Sequence, residues 1–451
     1  MNALTLSFVA RALGLPCPDE DQPLNGVVID SRRVGRGDLF VAIPGPRFDG
    51  HDFVDQAREA GAAAVLVSRP GDYRLPSLVV DDTRRALGRL GAAWRGTFSG
   101  PVVGVTGSNG KTTVKEMTAR LLAPLGPVWA TQGNLNNDLG VPLTLLSLRT
   151  DHRAAVIEMG ANHAGEIAYL SSLARPRVGV VTHAGPAHLE GFGSLEGVAR
   201  AKGELFAALG EGEVAVINRD DRFAPLWDEL AAPAQVVDFG LDPRAAVRAE
   251  AVKAGPEGSR FRLITPVGET WLTLPLPGEH NVRNALAATA VALSLGVELG
   301  SIRAALESMV PVAGRLRPRQ GRRGARLIDD SYNANPASLQ AGLAVLAAHS
   351  GRRTLVLGDM AELGEEAVAL HRQAGETART MGIDRLYAVG SLAAEAAQSF
   401  GAQGRCFDTV EGLVQALLDD LDKEDTVLVK GSRSAGMERV VAALTPQRGE
   451  G

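Results

Sequence analysis

Pro101-Val-Val-Gly-Val105-Thr106-Gly107-Ser108-Asn109-Gly110-Lys111-Thr112-Thr113 packs an apolar run, a glycine-rich turn and the opening of a helix into one continuous stretch. The run Pro101–Val105 has the character of a strand covered on both faces, and residues from Lys111 to Leu122 follow as a helix. Backbone amides of such a turn, with the helix N-terminus behind them, form a nest for phosphate oxygens. Lys111 reaches the outer phosphates, and Thr112 offers a hydroxyl to Mg²⁺. The spacing is a shortened variant, because the full form wants glycine at position 105, where valine stands. A glycine-rich turn with a capping threonine and no ligand is the plainer alternative. The strand–loop–helix setting favours phosphate, making Gly107, Ser108, Asn109, Gly110, Lys111, Thr112 and Thr113 the expected nucleotide-binding set.

Working outward, Ala154–Ile157, Val178–Thr182 and Val214–Ile217 read as further strands, with Val198–Leu209 as a helix between them. Strands alternating with helices predict a mostly parallel sheet covered on both sides. From Val236 to Leu274 the pattern turns to short strands, followed by a helix from Asn281 to Leu295. Residues 1–98 read as a small α/β domain, with Thr83–Trp94 a helix that Asp82 caps. Residues 99–313 form the central domain. Residues 314–451 repeat the strand–helix alternation as a Rossmann-like domain. The fold class is α/β in three domains.

Composition narrows the function. In 451 residues, 47 basic and 52 acidic side chains leave a net charge of −5, so no global field holds nucleic acid. The aromatic content of 12 Phe, 4 Tyr and 4 Trp is a poor supply of stacking platforms. Two distant cysteines, Cys17 and Cys406, suggest neither a disulfide framework nor a zinc site. The amino terminus has no basic region or cleavage signal, and no apolar run reaches the ~18 residues of a membrane span. A cytoplasmic protein is expected. Only six of the 47 basic residues are lysine (Lys111, Lys115, Lys202, Lys253, Lys423 and Lys430). Where arginine serves for charge alone, a lysine is the more apt to be needed as an amine.

Glu158 ends the strand Ala154–Ile157, where a carboxylate points into the nucleotide crevice and suits Mg²⁺. On its own such an acid is more often solvated; beside a phosphate loop the balance reverses. The next strand leads into His183-Ala-Gly-Pro-Ala-His188, and Lys202 follows on a helix whose spacing alone suggests a solvated face. Asn281 and Asn284 lie one helical turn apart and either share a face toward an adenine ring or, in the case of Asn281, cap the helix. Asp329-Asp330-Ser-Tyr-Asn333-Ala-Asn335-Pro336 follows a strand as a polar loop able to contact ligand. Taken together, these residues describe an enzyme dependent on ATP and Mg²⁺, with the acceptor undefined.

The motifs and their order resemble the Mur ligases of bacterial cell-wall synthesis along essentially the whole chain. The resemblance implies an ATP loop at Thr106–Thr113, with Lys111, His188 and Lys202 catalytic. It implies metal binding by Thr112, Glu158, His188 and Lys202; in the family the equivalent lysine is often carbamylated and helps hold a second Mg²⁺. Asn281, Asn284, Arg315 and Asp330 match residues gripping adenine, phosphate and ribose. Asp30-Ser31-Arg32 and Asp49-Gly-His-Asp52 imply a UDP-sugar on the first domain, at Ser31 and Arg32. The stretches Gly133-Asn134-Leu-Asn136-Asn137-Asp-Leu-Gly140 and Asp330–Pro336 resemble the member acting last in the series. That implies UDP-N-acetylmuramoyl-tripeptide and D-alanyl-D-alanine as partners, contacted by Asn134, Asn136, Asn137, Asn333 and Asn335. A Thr-Thr-Pro stretch after the loop, a later His-Thr-Pro motif and an Asp-Asn-Pro-Arg motif, marks of neighbouring members, are absent.

The implied chemistry is acyl-phosphate formation followed by amide synthesis, in a monomer whose third domain swings inward about Val312–Arg315. Lys430 is expected at the acceptor peptide or on the surface. The alternatives are another amide ligase of the folylpolyglutamate type, a P-loop ATPase module driven by a protein partner, and an inactive UDP-sugar-binding scaffold.

Overall fold

The computed structural model describes residues 4–186 and 189–446. Three sheets organise them. The first has four parallel strands in the order Val27–Val28, Leu39–Val41, Ala64–Val67 and Ser77–Val79. The helix Thr83–Arg95 covers one face, and Asp82 caps it by accepting from the amides of Arg84 and Arg85. Gly88 and Gly91 let that helix press onto the central unit. A Cβ on Gly91 would lie 2.9 Å from Pro142 Cα, and one on Gly88 would lie 2.2 Å from the Tyr169 hydroxyl.

The central sheet has nine strands, in the order Gly268–Leu274, Gly258–Thr265, Val247–Gly255, Gln235–Gly240, Val214–Asn218, Val178–Val181, Val102–Thr106, Ala154–Glu158 and Val128–Ala130. Seven are parallel, and Gly258–Thr265 and Gly268–Leu274 add an antiparallel hairpin. The segment from Val236 to Leu274 is thus not a set of short strands. The three strands from Val247 to Leu274 run to 9, 8 and 7 residues. Their alternation of buried and exposed positions is what a half-solvated antiparallel sheet requires. The strand Val102–Thr106 sits between Ala154–Glu158 and Val178–Val181. The chain therefore leaves it to build strands on both sides, and ligands bind at such a switch point beyond the carboxyl ends.

The third sheet orders Arg317–Gln320, Arg326–Asp330, Asp425–Lys430, Arg352–Gly358, Arg385–Val389 and Gly404–Phe407. Only the first pair is antiparallel.

One apolar core runs unbroken from Leu4 and Val9 through Leu87 and Trp94 into Val102, Val141, Leu170 and Trp227. Trp94 Nε1 donates to the Leu148 carbonyl at 3.1 Å, and Arg95 Nε to that of Ala174 at 2.7 Å. The amino-terminal and central units are therefore welded. The carboxy-terminal unit has its own cores on the two faces of its sheet. It joins the rest through a turn in which Arg315 N donates to the Val312 carbonyl, with Gly314 at φ 70°.

Candidate active site

Within the phosphate loop, Gly107 takes φ 139° and Gly110 φ 81°. Space forbids a side chain at either. A Cβ on Gly107 would lie 1.9 Å from Thr182 Oγ1, and one on Gly110 2.6 Å from Asn284 Oδ1. Thr182 Oγ1 donates to the Asn109 carbonyl at 2.5 Å, and Ser108 Oγ donates to that of Gly185 at 2.9 Å. The loop is thus held in part by the segment that follows the neighbouring strand Val178–Val181. Lys111 heads the helix Lys111–Leu121 and folds its amine onto the Gly107 carbonyl at 2.7 Å. Burial lowers its pKa, against the pull of Glu158.

Glu158 is buried at the carboxyl end of the adjacent strand. Its Oε1 accepts from Asn136 Nδ2 at 2.9 Å. Its Oε2 has no hydrogen-bond partner, and the nearest cation, Lys115 Nζ, stands 4.0 Å away. A buried carboxylate oxygen left bare is costly unless a cation meets it. Such an oxygen at the carboxyl end of the strand beside the loop fits a divalent ion. Among the described residues, no group of three His, Cys, Asp or Glu converges as a ready-made metal cage. His188 lies outside the described residues.

Lys202, on the helix Leu195–Ala207, is buried, which corrects the expectation of a solvated face. Its amine donates to the Ala161 carbonyl at 3.2 Å and sits 5.1 Å over the Phe192 ring. Desolvation, with Lys111 nearby, brings its pKa down to about 7. An amine that is neutral near neutrality is the form able to take up CO₂.

Where the carboxy-terminal unit meets the phosphate loop there is a cavity of about 210 Å³. Asn109, Gly110, Asn281, Asn284, Arg315 and Asp330 all reach it. Gly278, not Asn281, caps the helix Glu279–Ser294. Asn281 Nδ2 donates to the Pro277 carbonyl at 2.8 Å, and Asn284 Nδ2 donates to Asn281 Oδ1 at 3.2 Å. The two amides therefore hold one another on the cavity wall. Arg315 lies 4.3 Å from the Tyr332 ring centre and donates to Thr112 Oγ1 at 3.3 Å, crossing between units.

Other cavity residues were given no role there by the sequence reading. His183 and His280 line it as neutral rings, burial pushing both down to about 4. His280 adjoins Asn281, which was the available signal. Phe239 also lines the cavity, and so does Lys430. The expectation that Lys430 lies at the surface is overturned: it is buried in an ion pair with Asp330 and donates to the Asn333 carbonyl at 3.1 Å. Burial pushes the Asp330 carboxyl up, while Lys430 opposes the shift. Asp330 Oδ1 also accepts from the Leu316 amide at 3.1 Å, so this side chain pins the interdomain turn.

The residues expected at the tripeptide and dipeptide divide. Asn136 reaches the site through Glu158. Asn137 caps the helix Gly140–Leu146, its Oδ1 accepting from Gly140 N at 2.9 Å, and Asn134 is exposed on the same loop. Asn333 and Asn335 line a cleft of about 410 Å³ with Glu362, Ser432, Arg433 and Ser434. In the first unit, Ser31 Oγ donates to Gln56 Oε1 at 2.8 Å. Arg32 lies against Asp30 at the carboxyl edge of the four-stranded sheet.

Fold and site together define a nucleotide-dependent α/β enzyme. Three family models match in succession: "Mur ligase family, catalytic domain" over residues 23–95, "Mur ligase middle domain" over 105–292 and "Mur ligase, glutamate ligase domain" over 314–433. The chain belongs to the Mur ligase family. Its curated relatives include UDP-N-acetylmuramoyl-tripeptide–D-alanyl-D-alanine ligase of Escherichia coli, 47% identical across 98% of this chain and 99% of that one. The Bacillus subtilis protein of the same name is 36% identical across 94% of each. Among solved structures, MurF from Acinetobacter baumannii superposes with a TM-score of 0.91 at 38% identity, covering 98% of both chains. MurF from Thermotoga maritima in complex with ADP gives 0.82 at 31% identity, covering 93% of this chain and 96% of that one.

Proposed function

We propose that the chain joins D-alanyl-D-alanine to UDP-N-acetylmuramoyl-tripeptide at the expense of ATP, releasing ADP, phosphate and the pentapeptide precursor of peptidoglycan. The observation that carries this reading is the roof over the phosphate loop. Arg315 and Asn335, from the carboxy-terminal unit, bond to Thr112 and Asn109 of the loop. A phosphoryl group transferred there is shielded from water, as an acyl phosphate requires.

ATP seats with its phosphates on Gly107–Thr113 and its base against Asn281, Asn284 and His280. Lys111 leaves the carbonyl of Gly107 for the outer phosphates. The tripeptide's terminal carboxylate takes the γ-phosphoryl group, forming the acyl phosphate and leaving ADP. The amine of D-alanyl-D-alanine then attacks the acyl carbon, and the tetrahedral intermediate expels phosphate. Thr112 and Glu158 would hold Mg²⁺, which would offset charge on the transferring group. Lys202, as a carbamate, and His188 would serve a second ion. Arg433 meets the dipeptide carboxylate in the cleft beside Asn333. Ser31 and Arg32 face the uridine diphosphate. No helix among the described residues is long and apolar enough to cross a membrane. We place the enzyme in the cytoplasm as a monomer, serving cell shape and division through wall synthesis.

The test is ADP release with Mg²⁺ and ATP, omitting the tripeptide and the dipeptide in turn. Release that needs both, with one pentapeptide per ADP, is expected. Brisk release with neither would make the chain an ATPase module instead.

A further inference from the structure

Asn335 performs two tasks with one carboxamide. As N-cap of the helix Pro336–Ala347, its Oδ1 accepts from the Ser338 amide at 2.9 Å, and Ser338 Oγ accepts from the Asn335 amide at 3.0 Å. The same Oδ1 accepts from Asn109 Nδ2 at 3.3 Å, and Asn335 Nδ2 donates to Asn109 Oδ1 at 2.7 Å. Capping asks only for an acceptor, and serine or aspartate caps as well as asparagine. The exchange with Asn109 asks for a donor and an acceptor side by side on one planar group, which a carboxamide supplies and the single hydroxyl of serine does not.

Asn109 is equally divided. Its carbonyl is tied by Thr182 to its own sheet, and its side chain is tied by Asn335 to the other unit. Its neighbour Ser108 is fixed at Gly185. Two loop side chains, those of Asn109 and Thr112, have a partner that departs when the carboxy-terminal unit lifts away, and that of Asn109 loses a donor and an acceptor at once.

We propose that Asn335 is a positioning residue for phosphoryl transfer: through Asn109 it couples the seat of the carboxy-terminal unit to the shape of the phosphate loop. The loop reaches its transfer-competent shape only with that unit docked. ATP bound to an unseated enzyme is thereby protected from idle hydrolysis. The inference rests on the ATP-dependent reading above.

Asn335→Ser keeps the cap and removes the bridge, and Asn109→Ala removes it from the other side. Each is expected to lower kcat for ADP release in the complete reaction by about tenfold or more, with KM for ATP changed by less than about threefold. The double variant should be no slower than the slower single, since both remove one interaction. The thermal midpoint of Asn335→Ser should stay within about 2 °C of the parent, because the cap survives. Amide hydrogen exchange over residues 106–113 in the chain without substrates should quicken equally in both single variants. A kcat for Asn335→Ser near that of the parent, losses that multiply in the double variant, or unchanged exchange would overturn the coupling. The exchange readout needs no turnover, so it still decides the matter if the parent makes no pentapeptide and the ligase reading fails.

Discussion

Gly107 and Thr182 stand so close that a single added carbon on the glycine would fall 1.9 Å from the threonine hydroxyl. That hydroxyl already holds the loop through the Asn109 carbonyl. Gly107→Ala therefore loses twice, through the clash and through a backbone at φ 139° that alanine resists. We expect ATP affinity to fall by about tenfold or more and unfolding free energy by about 1–3 kcal/mol. Nucleotide titration calorimetry and urea melts check the two separately.

Glu158→Gln keeps the hydrogen bond with Asn136 available and removes the charge whose outer oxygen has no hydrogen-bond partner. The expected result is a large rise in the Mg²⁺ concentration needed for half-maximal ADP release. Stability should be unchanged or higher, because a bare buried carboxylate oxygen is no longer desolvated. Mg²⁺ titration of the rate and a thermal melt without metal test both halves.

Lys202 has a folded pKa of about 7, below its ordinary value of 10.5. Between those values the unfolded chain binds a proton that the folded chain does not, so stability rises with pH across that window. Below about 7 the lysine is charged in both states and its burial penalty is full. Lys202→Met should raise the thermal midpoint most at pH 6, with an advantage that shrinks toward pH 10. Lys202→Arg should abolish activity at every pH, because guanidinium neither loses its proton nor takes up CO₂. A fully active arginine variant would remove Lys202 from the site.

Removing Lys430 leaves Asp330 buried without its counter-ion, which typically costs about 3–5 kcal/mol. Lys430→Met should therefore unfold at much lower denaturant. The double variant Lys430→Met with Asp330→Asn should recover most of that loss, while ATP binding stays weak. A single variant as stable as the parent would show that the pair is not closed in solution.

Gly91→Val places a side chain where Pro142 Cα is 2.9 Å from the Cβ position. Overpacking of this kind costs about 1–3 kcal/mol. Because the core runs on from residues before Phe98 to those after Val102, the loss should appear in the transition of the amino-terminal and central units together. Two separate transitions for those units, with only the first shifted, would contradict the shared core.

Much of the candidate site was legible because its signals are local. The phosphate loop is written in consecutive residues, and Glu158 announces itself by ending an apolar strand. Asn281 and Asn284 are one turn apart. What was illegible depends on partners far along the chain. Lys430 reads equally as an acceptor contact or a surface lysine until Asp330 is found beside it, 100 residues away in sequence. Helical spacing alone makes Lys202 a solvated residue, where Phe192 and Ala161 in fact enclose it; the family resemblance, not the periodicity, singled it out. The edge strands Arg317–Gln320 and Gly404–Phe407 are polar and partly exposed, so no apolar run marks them. The helix Gly140–Leu146 carries no cap of its own and borrows Asn137 for that purpose.

The two seams of the molecule differ in kind. Between the amino-terminal and central units runs oil; between these and the carboxy-terminal unit the apolar cores are separate, and side-chain bonds such as Asn109–Asn335 and Arg315–Thr112 span the gap. Water competes with amides and hydroxyls far better than with a continuous hydrocarbon core. One seam is then a weld and the other a latch. A small molecule that meets the two facing asparagines at once would jam the latch without resembling ATP, sugar or peptide, and would leave the weld intact.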